Sequence, residues 1–258
     1  MQFSEFKNQV YKKFGLNLNS YKENQLKRRL DGLLEKKNIK DYRDFFELLC
    51  SRRAEYHGFL DYLTINVTEF FRDVKMFQNL ETKVIPELLS NSLNLKIWSA
   101  ACSTGAEPYS VSIILHEQSM KNKAVRYRID ATDLDQSILQ KAREGKYKAD
   151  ALKNVSKQRL EKYFTKQGDE YIVKQEIKSK VYFKQHDLLA DKYLSGYDLI
   201  LCRNVTIYFV REAQNKINKQ FAESLKPGGY LFIGGSETIF NSAKFGLKKI
   251  YPCFYKKE

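Results

Sequence analysis

Four apolar runs dominate the last two-thirds of this chain: LKIWSA (95–100), VRYRIDATD (125–133), YDLILCRN (197–204) and YLFIGG (230–235). Between them lie stretches of helical character, PYSVSIILHEQ, DQSILQKAREG and REAQNKINKQFAESL, the last stopped by Pro227-Gly228-Gly229. Strands that alternate with helices form a mostly parallel sheet, because each return to the same direction requires a crossover, and the crossovers cover both faces. The expected fold class is therefore α/β, a doubly wound sheet. Ligands of such sheets bind beyond the carboxyl ends of the strands, and each run here ends in small or polar residues. The tail FGLKKIYPCFYKK predicts one more antiparallel strand or hairpin. GDEYIVKQEIKSKVYFKQHD predicts short antiparallel strands in a small insert near residues 154–186.

The first 75 residues have a different period. Ser20 and Glu23 have the spacing of a capping box. Leu26, Leu30, Leu33 and Leu34 then share one face of a helix over 21–37. Lys22, Arg29 and Lys36 recur every seven residues on another face, joined by Lys27, Arg28 and Lys37. Further helices are expected over 42–50 and 54–63. Short helices bury their apolar stripes only against each other or a neighbour, so residues 1–75 are read as a helical domain preceding an α/β domain over 76–258.

Composition narrows the class further. No run of 18 apolar residues is present to span a membrane, and the charged start MQFSEFKNQVYKKFG is unlike a signal peptide. Cys50, Cys102, Cys202 and Cys253 are scattered without metal-ligand spacing, two of them at buried strand ends, which fits free thiols in a reducing cytoplasm. The net charge of +14 favours an acidic partner. No RNP, zinc-finger or helix-turn-helix signature accompanies it, so nucleic acid is not the expected one. Oligomeric state stays open, with a monomer favoured.

The candidate chemistry lies at the strand ends. Ser99–Gly105 is small or hydroxylated throughout and permits close backbone approach, yet lacks the G-x-G-x-x-G of a pyrophosphate site. Ala101 lies within this turn. Glu107 is either the receiver of a ligand ammonium group or the capping-box partner of Thr104. Asp133 either accepts ribose hydroxyls or caps the next helix, with Asp135 as the alternative cap. Asp187 follows a strand in VYFKQH and is placed for an adenine amine. Arg203 and Asn204 end the third strand, with Tyr208 one turn beyond. In TINVTEFFR (64–72), Arg72 either seals the domain seam or orients a carboxylate. His57, His116 and His186 form no nucleophilic or metal-binding arrangement.

Taken together, TINVTEFFRD (64–73), KIWSAACSTGAEPYSVSI (96–113), ATDLDQSILQKAREGKY (131–147), YDLILCRNVTIYF (197–209) and LKPGGYLFIGGSE (225–237) resemble, in order, the CheR family of chemotaxis receptor methyltransferases. The resemblance implies a Rossmann-like class I methyltransferase sheet, a small antiparallel insert and an all-helical N-terminal domain. It implies S-adenosylmethionine as cofactor and glutamate side chains in the cytoplasmic methylation helices of chemoreceptors as substrate. By position it implies cofactor contacts from Asn66, Thr68, Arg72, Ala101, Glu107, Asp133, Asp187, Leu188, Arg203 and Asn204. Arg72 and Tyr208 become the candidates for placing the substrate, and Lys22, Arg28, Arg29 and Lys36 for docking an acidic helix. Ala106 stands where the family often has a second Glu, Gly235 where it often has His, and Asp187 where it often has Asn. A nicotinamide dehydrogenase would need a pyrophosphate loop, and a base-amine methyltransferase an Asp-Pro-Pro-Tyr type motif. An inactive adaptor would be expected to lose the cofactor acids or Arg72.

Overall fold

The computed structural model describes residues 1–63 and 68–258. The N-terminal helices are α1 (Phe3–Phe14), α2 (Glu23–Lys36), α3 (Tyr42–Ser51) and α4 (Arg53–Leu63). Their apolar stripes close a core of their own, in which Phe6, Leu30 and Phe45 are fully buried beside Leu26, Leu33 and Leu34. The Ser20/Glu23 capping box does not form. Residues 18–20 make a 3-10 turn and α2 begins at Glu23 without a side-chain cap. Glu23 instead pairs with Lys7 of α1 at 2.6 Å, a partner 16 residues away that local spacing does not reveal.

The second part opens with α5 (Val74–Asn79) and α6 (Ile85–Asn91), joined through a π turn at Leu80–Val84. It continues as β1 (Asn94–Ala100), α7 (Ala106–Lys121), β2 (Arg126–Asp133), α8 (Gln136–Glu144), β3 (Lys146–Lys148), α9 (Lys157–Tyr163), β4 (Phe164–Gln167), β5 (Glu170–Val173), α10 (Gln175–Lys178), β6 (Val181–Gln185), β7 (Tyr197–Cys202), α11 (Arg211–Ser224), β8 (Leu225–Ile233), β9 (Leu247–Tyr251) and β10 (Phe254–Lys257). The main sheet has seven strands in the order β6-β2-β1-β7-β8-β10-β9. The first five are parallel, and the β9–β10 hairpin closes one edge antiparallel. Alternation sends Leu95 and Ile97 of β1 to one face of the sheet, and Trp98 and Ala100 to the other, where Ile217 and Phe221 of α11 cover them.

One expected element differs. VYFKQ is not part of an antiparallel insert but forms β6, the parallel edge strand paired with β2 in the register Ile129 to Val181. The small sheet is β3-β5-β4 and takes its first strand from Lys146–Lys148. A period of two marks a strand but says nothing of which sheet it joins or in which direction.

Going outward from β1, β2 and β6 lie on one side, β7 and β8 on the other. The strand order therefore reverses between β1 and β7, and their carboxyl ends open a crevice at this switch point. The helical domain sits over that crevice. Tyr21 and Phe209 form an antiparallel bridge, the Lys22 N–H donates to the Tyr208 carbonyl at 2.9 Å, and the Val210 N–H donates to the Ser20 carbonyl at 2.9 Å. Along the same seam the Ser137 hydroxyl of α8 donates to Asp61 of α4 at 2.7 Å.

Candidate functional site

Beyond β1 the chain turns through Ala101 (φ 60°), Ser103 (φ 50°) and Gly105 (φ 87°), all left-handed. At Gly105 a Cβ would stand 3.1 Å from that of Ala142, so glycine suits both the backbone angle and the packing. The turn aims the Ser103 N–H at the Asp133 carboxylate, 2.8 Å away, and starts α7 so that Glu107 lies in its first turn. No side chain caps this helix. Glu107 instead accepts the Ser99 hydroxyl at 2.7 Å and faces the Arg203 guanidinium at 3.4 Å. Burial raises its pKa above the usual glutamate range, and Arg203 opposes that rise. Asp133, 5% exposed, is likewise raised by burial and held by the N–H groups of Asp135 and Ser103. Asp135, not Asp133, caps α8, by accepting the Ser137 and Ile138 N–H groups. Asp133 therefore faces the crevice.

At the end of β7, Arg203 ties three segments together. It donates to the Arg72 carbonyl at 2.9 Å and to Asp73 at 2.7 Å, faces Glu107, and packs over the rings of Phe77 and Phe232. Asn204 is left-handed (φ 60°), and its side-chain Oδ1 is buried without a partner. The turn that follows is organised by Glu237, whose carboxylate accepts the N–H groups of Asn204, Val205, Thr206 and Gly234 and the Thr206 hydroxyl, all within 3.0 Å. A Cβ at Gly234 would stand 2.8 Å from the Asn204 nitrogen, so this approach requires glycine.

These pieces enclose a cleft with two lobes that share Ala101, Ser103, Asn204 and Val205. The wider lobe, about 670 Å³, is bounded by Asp133, Leu134, Asp187, Leu188 and Tyr208, with Tyr21 and Leu63 from the helical domain. The narrower lobe, about 460 Å³, is bounded by Thr68, Arg72, Glu107 and Arg203. Burial raises the pKa of Asp187, whose carboxylate accepts the Leu189 N–H at 2.7 Å. The Leu188 carbonyl accepts the Tyr193 hydroxyl at 2.8 Å. Of the ten expected cofactor positions, Asn66 lies outside the described residues; the other nine line the cleft. Arg28 and Lys36 are exposed, and Lys22 is tied to Tyr208 through its backbone. Arg29 is half-buried: its guanidinium donates to the Tyr62 carbonyl and lies over the Tyr62 ring.

The sequence assigned no place in the cleft to Tyr21, His186 or Glu237. His186 lines the wider lobe edge-on to Trp98 and Tyr193, with its pKa lowered by burial. Tyr21 reaches the cleft only because the domains dock. Glu237 carries a signal in GGSE, a lone acid after a buried strand, but four of its five contacts come from residues some 30 positions away.

The donor set suits an amino-acid-bearing nucleoside. One buried carboxylate stands at the end of β2 where a diol binds, a second stands where an ammonium group would relieve its burial, and an unpartnered amide oxygen lies between them. The comparisons agree with that fit. Residues 1–64 match the CheR methyltransferase all-alpha domain, and residues 66–251 match the CheR methyltransferase SAM-binding domain. A chemotaxis protein methyltransferase of Listeria innocua is 42% identical over 96% of this chain and 94% of its own length. That of Listeria monocytogenes is 41% identical over the same shares, and that of Borreliella burgdorferi is 37% identical over 96% of this chain and 91% of its own. The chain thus belongs to the CheR family, the S-adenosylmethionine-binding methyltransferases of chemotaxis.

Proposed function

We propose that this protein methylates glutamate side chains of chemoreceptors, forming γ-methyl esters. The observation that carries the reading is that Arg72 lines one lobe and Tyr208 the other of two lobes that share Ala101, Ser103, Asn204 and Val205. S-adenosylmethionine, when bound, supplies an electrophilic methyl group on a sulfonium centre. An acceptor already ionised at neutral pH, with a pKa of about 4.3 for glutamate, needs no proton removed. His186, the imidazole among the described cleft residues, stands against Trp98 and Tyr193 beside Asp187.

The chain's own groups divide the work. Asp133 receives the ribose hydroxyls, and Asp187 with Leu188 borders the adenine. Glu107 receives the methionine ammonium, with Arg203 and Asn204 beside it. Ala101 permits close approach, and Thr68 completes the pocket from the linking segment. Arg72 and Tyr208 orient a carboxylate oxygen, so the rate gain comes chiefly from alignment. Arg203 is the positioning residue for Arg72, because it holds that residue's carbonyl. Residues 1–75 close the pocket, and Lys22, just before α2, with Arg28 and Lys36 on α2, steers an acidic helix toward it, with Arg29 adding charge from a fixed position.

Labelled methyl transfer to receptor-containing membranes tests the reading. Mild alkali should release the label from the receptor as volatile methanol. Label stable to alkali would mean that the acceptor is not a carboxylate.

A further inference from the structure

A second groove, of about 730 Å³, lies on the opposite side of the Thr206–Tyr208 turn from the cofactor cleft. Tyr208 lines the cleft, Thr206 and Ile207 line the groove, and Phe209 lines both. Hydrogen bonds hold the turn in place: Glu237 accepts the Val205 and Thr206 N–H groups, and the Gln214 amide donates to the Thr206 and Phe209 carbonyls at 2.8 and 3.1 Å. Lys22 and Arg211 border the groove with Ser236, Thr238 and Phe240. Among the described residues that line it, the one acid is Glu237, which is buried and already satisfied by the turn, so that no exposed carboxylate lines the groove beside the two cations. The Arg211 guanidinium lies 3.9 Å from the centroid of the Phe240 ring, which is itself 56% exposed. A planar cation laid on an exposed aromatic ring is preorganised to meet a carboxylate while the ring offers apolar contact.

We infer that this groove is a second docking surface for the substrate helix, in which Arg211, stacked on Phe240, and Lys22 grip acidic residues on the turns next to the methylated glutamate. The inference rests on the proposed reading that the substrate is a glutamate-rich helix. Such a helix presents carboxylates three and four residues apart on one face, about 5.4 Å along its axis per turn. With one glutamate at Tyr208, its neighbours fall beside the groove across the turn. Arg211 and Phe240 thereby select acceptor glutamates by the residues that flank them.

The test is steady-state methylation of a receptor cytoplasmic fragment by the full chain, varying the receptor. Arg211→Glu should raise KM about tenfold with kcat within twofold and unchanged affinity for S-adenosylhomocysteine, which also reports folding. Phe240→Ala should raise KM less, and the double variant should fall short of the product of the two effects because the side chains act as one unit. Lys121→Glu makes the same sign change at the far end of α7 and should leave KM close to that of the unaltered enzyme. Unchanged KM in Arg211→Glu, or an equal rise in Lys121→Glu, overturns the inference while leaving the glutamate reading intact. Absence of transfer by the unaltered enzyme overturns both.

Discussion

At the scale of single residues, the cleft is defined by carboxylates kept in places where burial penalises their charge. Glu107 shows the consequence for pH. Burial raises its pKa and Arg203 only opposes the rise, while on the proposed reading an incoming ammonium group requires the ionised form. Affinity for S-adenosylhomocysteine should therefore be full at neutral pH and fall with acidification through the raised value, above the ordinary range near 4.3. Calorimetric titrations from pH 8 to pH 5 should show this fall. Glu107→Gln should bind about tenfold to a hundredfold more weakly at pH 7, the scale of a lost charged hydrogen bond, with a shallower acid slope because Asp133 remains. An unchanged slope would remove Glu107 from the ammonium site. Glu107 and Asp133 were legible because each follows a strand or turn of recognisable type. Glu237 was not, since its role is to gather the N–H groups of a turn assembled by the fold.

At the scale of elements, strain gathers where the strands release the chain. Phe71, Asp73, Ala101, Ser103 and Asn204 are all left-handed non-glycine residues in the turns around the cleft, a conformation that persists only where neighbours enforce it. The seam between α4 and α8 stores a different cost. Asp135 is fully buried and its pKa is pushed up to about 6 by burial and by the nearby Asp61. Asp61 is lowered by its hydrogen bond with Asp135, then by Ser137, Lys141 and His57. A raised carboxyl contributes stability below its unfolded value, about 3.9, and loses it as pH rises through about 6. Asp135→Asn keeps a competent helix cap and can donate to Asp61, so it should stabilise the fold by on the order of 1 kcal/mol at pH 7.5. Thermal melts should show that gain shrinking toward pH 5; a gain that grew there would contradict a raised Asp135 carboxyl at the seam. The parallel strands were legible from their apolar runs, whereas the sheet membership of VYFKQ was not, because partner choice is a tertiary property.

At the scale of the whole molecule, the helical domain is both a wall of the cleft, through Tyr21 and Leu63, and the bearer of a basic face. The change of period along the chain is a local property; the docking of the helices through the Tyr21–Phe209 bridge is not, and could not be read from it. No described helix is long and apolar enough to cross a membrane. On the proposed reading, charge steers the encounter with an acidic receptor helix. Arg28→Glu with Lys36→Glu should lower the rate of methylation at low receptor concentration about tenfold in low salt. The deficit should narrow above roughly 0.3 M salt, as screening shortens the range of steering. Arg29 is best left in place in that test, because it braces α2 on Tyr62. The central claim, that the acceptor is a glutamate carboxylate, is tested most directly by methylating a purified receptor fragment with S-adenosylmethionine carrying a deuterated methyl group and locating the label by tandem mass spectrometry. The account predicts label on glutamate side chains of the methylation helices, lost on alkaline hydrolysis. Label on lysine, arginine or a backbone terminus would contradict it.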